Sequence, residues 1–411
     1  MTIPTGHTSS VRPDKILVIT LAFLMGATAF SVDSSLAAIP AVAQALAIST
    51  GTAQLTVSIY LLGFGLGQIP MGFMADYFGR RRLLLISMSL FTLAGMLTSV
   101  SPSADMLLMT RFIQGFCGAS AAVIARAVAR DITEGKETVQ LMGLLTSTTG
   151  VTMIIGPLIG GVALTWFGWR ASFGISALFG TIGLLLAIVF LPETNRSERQ
   201  TSALQTFVFS AKSFIQTPAA LIGAILVALS FAGLMTYITT SSDLLIRHYQ
   251  ISPLLYAVSF SIAAAGYMTG GLVSRYLARK QSHTSLIRRT AMVYLCCAGV
   301  IIAFLAGIPH PLWAIIGLVF VYFACISAML SQATAYTLEP LPKSAGMAAA
   351  ILGSFQLLAG AGTSLILAGL NLSSLNSLLG MLLVFALLIV CWVFVFIPLV
   401  QQYFMCRGQS G

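Results

Sequence analysis

Charge is what this chain of 411 residues has least of. Asp, Glu, Lys and Arg together make up 8% of it, where a soluble domain carries about 25%. So little polar surface excludes a water-soluble globule. Acids are the scarcer sign, 11 against 21 basic residues. The six cysteines form no CxxC pair. Cys117, Cys296, Cys297, Cys325 and Cys391 fall in apolar runs and Cys406 in the tail, so buried free thiols are expected rather than a disulfide or zinc framework. The four histidines, at 7, 248, 283 and 310, are scattered at ends and loops, and no metal site is expected. There is no HExxH, no GxSxG and no P-loop, so an enzyme is not expected. The polar start, with Arg12 and Lys15, precedes an apolar run with no cleavage pattern. That run is expected to remain as a transmembrane helix rather than leave as a signal peptide.

What is present in abundance is hydrophobic sequence, 57% of the residues. Spans of about 20 apolar residues are the unit that crosses a bilayer. Apolar runs predict helices near 16–39, 52–75, 83–101, 106–129, 138–165 and 171–191, then, after a polar stretch, near 218–242, 254–274, 290–308, 312–337, 345–369 and 375–399. This all-α transmembrane chain divides six and six: residues 1–192, a linker 193–217, and residues 218–411. An even number of spans puts both ends on one side. That side carries Arg12, Lys15, Arg80, Arg81, Arg82, Arg130, Lys136, Arg196, Arg199, Lys212, Arg275, Arg279, Lys280, Arg288, Arg289, Lys343 and Arg407. The other carries Arg170 and Arg247. Basic loops stay in the cytoplasm, so both termini are expected there. The net charge of +10 is accounted for by these loops, not by nucleic-acid binding.

The halves share a faint repeat. GFMADYFGRR from Gly72 and GLVSRYLARK from Gly271 both follow the second helix of their half, and aligning them matches Gly72 to Gly271 and Tyr77 to Tyr276. Parallel repeats of six helices are a known transporter design.

Specific motifs carry a family resemblance. Gly72, Asp76, Gly79, Arg80 and Arg81 fit the pattern G-x-x-x-D-x-x-G-R-[KR]. Arg111, Gln114 and Gly115 fit R-x-x-Q-G in the fourth run. Gly156, Pro157, Gly160 and Gly161, in GPLIGG, fit the proton-antiporter pattern G-x-x-x-G-P-x-x-G-G, with its upstream glycine displaced to Gly150. These resemble the major facilitator superfamily. ARAVARD (125–131), FGWRASF (167–173), LPET (191–194) and SAGMAAAILGSFQ (344–356) narrow the resemblance to bicyclomycin- and chloramphenicol-resistance-type drug:proton antiporters, over nearly the whole chain. The resemblance implies two six-helix bundles around a central cavity in the bacterial inner membrane. It also implies a monomer among membrane lipids, with no cofactor, driven by the proton gradient, that carries small amphipathic molecules outward and confers antibiotic resistance. Gly72 would let helices approach closely. Asp76 would cap a helix or pair with an arginine of the other bundle, and Gly79 would allow the tight turn. Ser35 and Ser241-Ser242-Asp243 depart from that subfamily and keep open a carrier of a particular metabolite, such as a siderophore or small peptide.

One acid stands apart. Asp14, Asp76, Asp131, Glu134, Glu137, Glu193, Glu198 and Glu339 map to the basic side, and Asp105 and Asp243 both to the outer ends of their runs. Asp33 lies well inside a run. A charge at mid-bilayer costs about 3 kcal/mol on insertion scales, so it should face a polar cavity and a partner. Asp33 lies about 10 Å from its outer end and Arg111 about 8 Å from its own, at 1.5 Å per residue, which predicts an Asp33–Arg111 proton-coupling pair. Burial and a nearby arginine act in opposite directions on a carboxyl's proton affinity, so cavity rearrangement could load and release the proton. Arg126 and Arg130 are expected to clamp Asp131 or lipid phosphates. Tyr237, Gln332, Tyr336 and Gln356 are candidates for the substrate-facing wall.

Overall fold

The computed structural model describes residues 14–133, 135–195, 203–341, 345–370 and 374–398. His7, Arg12, Glu134, Arg196, Glu198, Arg199, Lys343, Ser344, Cys406 and Arg407, invoked above, lie outside the described residues. Among the described residues, twelve helices are long and apolar enough to cross a membrane and no strand occurs. The first span is α1 (Lys15–Asp33), a 3₁₀ turn (Leu36–Ala38) and α2 (Ile39–Ala45). Then follow α3 (Thr50–Phe78), α4 (Arg80–Ser99), α5 (Ala104–Ile132), α6 (Gly135–Phe167) and α7 (Trp169–Phe190). After the linker helix α8 (Ala203–Gln216) come α9 (Pro218–Tyr249), α10 (Pro253–Leu277), α11 (His283–Leu305), α12 (Leu312–Leu338), α13 (Ala345–Leu370) and α14 (Leu375–Cys391), which ends in a π-helical turn, Trp392–Phe396.

Three elements differ from the sequence expectation. The first span is not one helix over 16–39. It breaks after Asp33, where the Ser35 hydroxyl donates to the Val32 carbonyl at 2.8 Å and competes with the helical ladder. The linker contains α8. The seventh span runs two turns past 242, so Asp243 and Arg247 are helical rather than terminal. Polar residues in Ser241-Ser242-Asp243 disguised that extension.

The halves repeat their packing. α3 packs on α5, α4 on α7 and α1 on α6; α10 packs on α12, α11 on α14 and α9 on α13 in the same way. The repeat has a physical marker. A Cβ on Gly63 would strike the Phe112 carbonyl, and one on Gly67 would come within 2.6 Å of the Phe116 carbonyl; likewise Gly266 and Gly270 abut the carbonyls of Phe320 and Ala324. Small residues permit this backbone-to-backbone approach in membranes. The caps agree, since Ser49 accepts from Thr52 N at 3.0 Å and Ser252 from Leu255 N at 3.2 Å. These equivalences place Gly67, not Gly72, opposite Gly270. The alignment of Gly72 with Gly271 is therefore one helical turn out, because i and i+4 share a helix face and look alike in sequence.

Between the halves, α3 meets α13 and α6 meets α10. Ser58 donates to Ser364 at 2.7 Å, Ser261 donates to the Ile154 carbonyl at 2.6 Å, and Arg247 donates to Thr50 at 2.9 Å. All three lie toward the end opposite the basic loops, where α2 and the 3₁₀ turn also touch α9.

Candidate functional site

Arg111 sits on α5 with no exposed surface. Its Nε donates to the Thr56 carbonyl at 3.2 Å. Its Nη1 donates to Ser31 Oγ at 3.0 Å, to the Ser31 carbonyl at 3.3 Å and to Gln114 Oε1 at 2.9 Å. The guanidinium stacks 4.5 Å from the centre of the Tyr60 ring and 5.5 Å from that of Phe173, and Nη2 has no hydrogen-bond partner among the described residues. Gln114 passes the network on to Ser176 at 3.2 Å. Gly115 permits it, because a Cβ there would strike the Tyr60 carbonyl. Every partner is neutral, so an arginine is held by carbonyls, a hydroxyl, an amide and aromatic faces.

Asp33 is not among those partners. It is buried and makes no ion pair or hydrogen bond among the described residues, so the expected Asp33–Arg111 pair is corrected. The depth estimate was right, since Ser31, two residues earlier, holds the arginine. The face was wrong: two residues turn a helix by about 200°, so Ser31 meets α5 while Asp33 meets α6. There the glycines of the GPLIGG motif receive it. A Cβ on Gly156 would lie 2.6 Å from Asp33 Cβ, and one on Gly160 would strike the Ser34 carbonyl. The Ser34 hydroxyl donates to the Ser172 carbonyl at 3.4 Å, and Ser172 donates to the Gly160 carbonyl at 3.0 Å. The break in α1 and the glycine face of α6 are one joint. Pro157 lies inside α6, beside it. Gly161 faces the other half, 2.9 Å from Ala257 Cβ by the same measure, and Gly150 has open space around it.

At the basic end the second motif resolves differently from its expectation. Gly79 has φ +91°, a conformation suited to glycine. The carboxylate of Glu193 caps the start of α4, accepting from Arg80 N at 3.0 Å and Arg81 N at 3.1 Å. Arg81 donates to the Ile188 carbonyl at 2.7 Å. Arg80 is ion-paired to Asp131 and reaches Asp76 at 3.8 Å. Thr194 donates to Asp131 at 2.8 Å, and Asn195 to the Asp76 carbonyl at 2.8 Å. Asp76 is thus exposed and paired within its own half, not with the other bundle. A Cβ on Gly72 would meet Val123 at an ordinary 3.7 Å, so the close approach belongs to Gly63 and Gly67. Asp131 is clamped by Arg80 and Thr194, while Arg126 donates to Gln68 at 2.9 Å. Glu193 is the functional side chain that sequence reasoning passed over. Its signal was an acid just beyond an apolar run, within reach of a helix that opens with three arginines.

The four second-half candidates separate. Tyr237 is enclosed, its ring 5.3 Å from Phe323 and 6.0 Å from Phe260, so it belongs to the core of its bundle. Gln332 is also enclosed, between His283 at 2.7 Å and Ser274 at 2.6 Å. Both are corrected from wall to packing. Tyr336 is half-buried in the last turn of α12. Gln356 is half-buried on the α13 stripe that continues to Gly360, which meets Phe231, and to Ser364, which meets Thr239 at 2.5 Å. Among the thiols, Cys296 and Cys391 are exposed rather than buried. His248 and His310, far apart in sequence, have ring centres 5.8 Å apart.

The sequence profile of the Major Facilitator Superfamily matches residues 20–365. Relatives include a Bacillus subtilis protein called "Uncharacterized MFS-type transporter YdgK", 28% identical over 83% of this chain and 86% of its own. Another, from Haemophilus influenzae, is called "Bicyclomycin resistance protein homolog", 25% identical over 84% and 87%. The "Multidrug resistance protein MdtL" of Shewanella oneidensis is 26% identical over 87% and 89%. Among solved structures, a D-xylose-proton symporter superposes with TM-score 0.72 at 15% identity, covering 93% of this chain and 98% of its own. A bacterial homologue of the lysosomal transporter Spinster gives 0.73 at 14% identity, over 92% and 96%. At those identities the likeness is one of fold.

Proposed function

This chain belongs to the major facilitator superfamily, a multi-pass membrane transporter, and on that premise we propose that it is a proton-coupled exporter of small amphipathic compounds. The observation that carries the reading is Asp33, a buried acid with no basic partner, seated where α1 breaks against the antiporter-like glycines of α6. A carboxyl without a fixed countercharge can exchange a proton for a substrate. The resistance proteins among its relatives support the direction and the substrate class. Arg111 would act beside Asp33 rather than on it, holding Ser31 and so the turn that presents the carboxyl. The basic loops support an orientation with both termini in the cytoplasm of a bacterial inner membrane. The halves 1–192 and 218–411 would rock about the 193–217 linker. Of the second-half candidates, Gln356 and Tyr336 would be the ones to face substrate, on the ground of their half-burial alone.

A proton entering gains about 2.3 kcal/mol per 100 mV, which sustains roughly a fifty-fold substrate gradient at 1.4 kcal/mol per tenfold. Everted vesicles test the proposal. Substrate added to energised wild-type vesicles should release protons, and Asp33→Asn should abolish both the release and uphill uptake. An Asp33→Asn chain that still concentrates substrate removes this carboxyl from coupling.

A further inference from the structure

The end of α9 carries a device that the motifs do not describe. Asp243 is enclosed and Arg247, one turn later, is not: their side chains are 4% and 65% exposed, and Arg247 Nε lies 2.8 Å from Asp243 Oδ1. The same guanidinium donates through Nη2 to Thr50 Oγ1 at 2.9 Å. Thr50 opens α3 in the other half, so a second-half helix holds a first-half helix through one side chain. The contact tops a seam. Below it Ser58 donates to Ser364 at 2.7 Å, Ser364 meets Thr239 at 2.5 Å, and all three hydroxyl residues are fully enclosed. The seam is the boundary that must part for the transporter to open at the end opposite its basic loops.

We infer that Arg247 is the latch of that seam and that Asp243 is its positioning residue. The ion pair fixes the guanidinium's rotamer within α9. This leaves one N–H aimed across the boundary at a single neutral acceptor. A bond of that kind is strong enough to bias which end is closed and weak enough to be broken in every cycle. The buried carboxylate explains why the arginine stays, since removing one partner of such a pair strands the other. The inference concerns the gate alone and depends neither on the transported compound nor on its direction.

The test uses the full-length protein in detergent, where sidedness plays no part. Ser58→Cys, inside the closed seam, reports opening through its labelling by a charged maleimide, counted as the increment over the chain without that substitution. Thr50→Val and Arg247→Ala should each raise the labelling rate about tenfold, the scale of one charge-assisted hydrogen bond. Combined, they should do no more than either alone. Asp243→Asn should match Arg247→Ala, and Asp243→Glu should return the rate toward the parent's. Labelling at the parent's rate in Thr50→Val, or a combined effect that multiplies, overturns the latch. A parental rate in a folded Asp243→Asn chain overturns the positioning role. Thr50→Val carries the decision if Asp243→Asn fails to fold.

Discussion

The two halves of the molecule share a backbone and differ in what they enclose. Gly63 and Gly67 seat α3 on α5 as Gly266 and Gly270 seat α10 on α12. By that equivalence Arg111 stands where the second half has Val319, and Gln114 where it has Tyr322. The first half therefore buries an arginine among carbonyls. The second buries rings: Tyr237, Phe260 and Phe323 in one cluster, and Tyr294 edge-on to Tyr322 at 5.2 Å in another. At the basic end the first half caps α4 with a distant carboxylate, Glu193, whereas the second caps α11 with the adjacent Ser282, which accepts from Ser285 N at 3.4 Å. The repeat fixes where backbones touch and leaves side-chain chemistry free.

Arg111→Ala should separate the halves most sharply. It leaves the Ser31 carbonyl and the Gln114 amide oxygen without their donor in a sealed network and opens a cavity beside the Tyr60 ring. A loss of about 2–4 kcal/mol is expected from the unmet acceptors and the cavity left behind, read as a steep fall in melting temperature in detergent together with lost transport. Val319→Ala, at the equivalent place, should keep a folded chain with a much smaller shift. The glycine notches test the opposite claim, that the scaffold is symmetric. Gly63→Ala and Gly266→Ala should cost alike, about 1–3 kcal/mol each from overpacking, and a chain hurt by one but indifferent to the other breaks the equivalence. Removing the caps should be milder. Glu193→Ala should cost up to about 2 kcal/mol and Ser282→Ala about 1 kcal/mol, with the first also freeing Arg81, measurable as faster amide exchange at the start of α4. Smallest is Tyr322→Phe, which removes one hydrogen bond to the Leu382 carbonyl at 3.0 Å and should shift stability by about 1 kcal/mol. A larger effect would mean that this ring, like Arg111, anchors a network.

The spans were legible because lipid demands length and hydrophobicity and little else. Eleven of the expected helices met their counterparts with shifts confined to the ends. The first span failed after Asp33, where the Ser35 hydroxyl satisfies the backbone locally, the Ser34 hydroxyl reaches α7, and hydropathy is silent on both. Asp33 and Arg111 were legible as the unusual charges, and their depth as well. Their pairing was not, because depth counts residues along a helix while partnership depends on the angle around it. Glu193 was quoted as part of a motif, but a cap formed across more than a hundred residues leaves no local pattern. Gln332 and Tyr237 looked like wall residues because polarity alone does not say whether a neighbour already satisfies it.

The joint between α1 and α6 has a mechanical consequence. Proline deprives a helix of one rung, and bending concentrates there. Pro157 follows directly on Gly156, the residue pressed against Asp33, while Gly160 and Gly161 keep their grip on Ser34 and on α10 beyond it. The weakest rung of α6 thus lies beside the carboxyl, so any flexing of the arm that begins at Gly135 would change what surrounds that one acid before it disturbed the far arm.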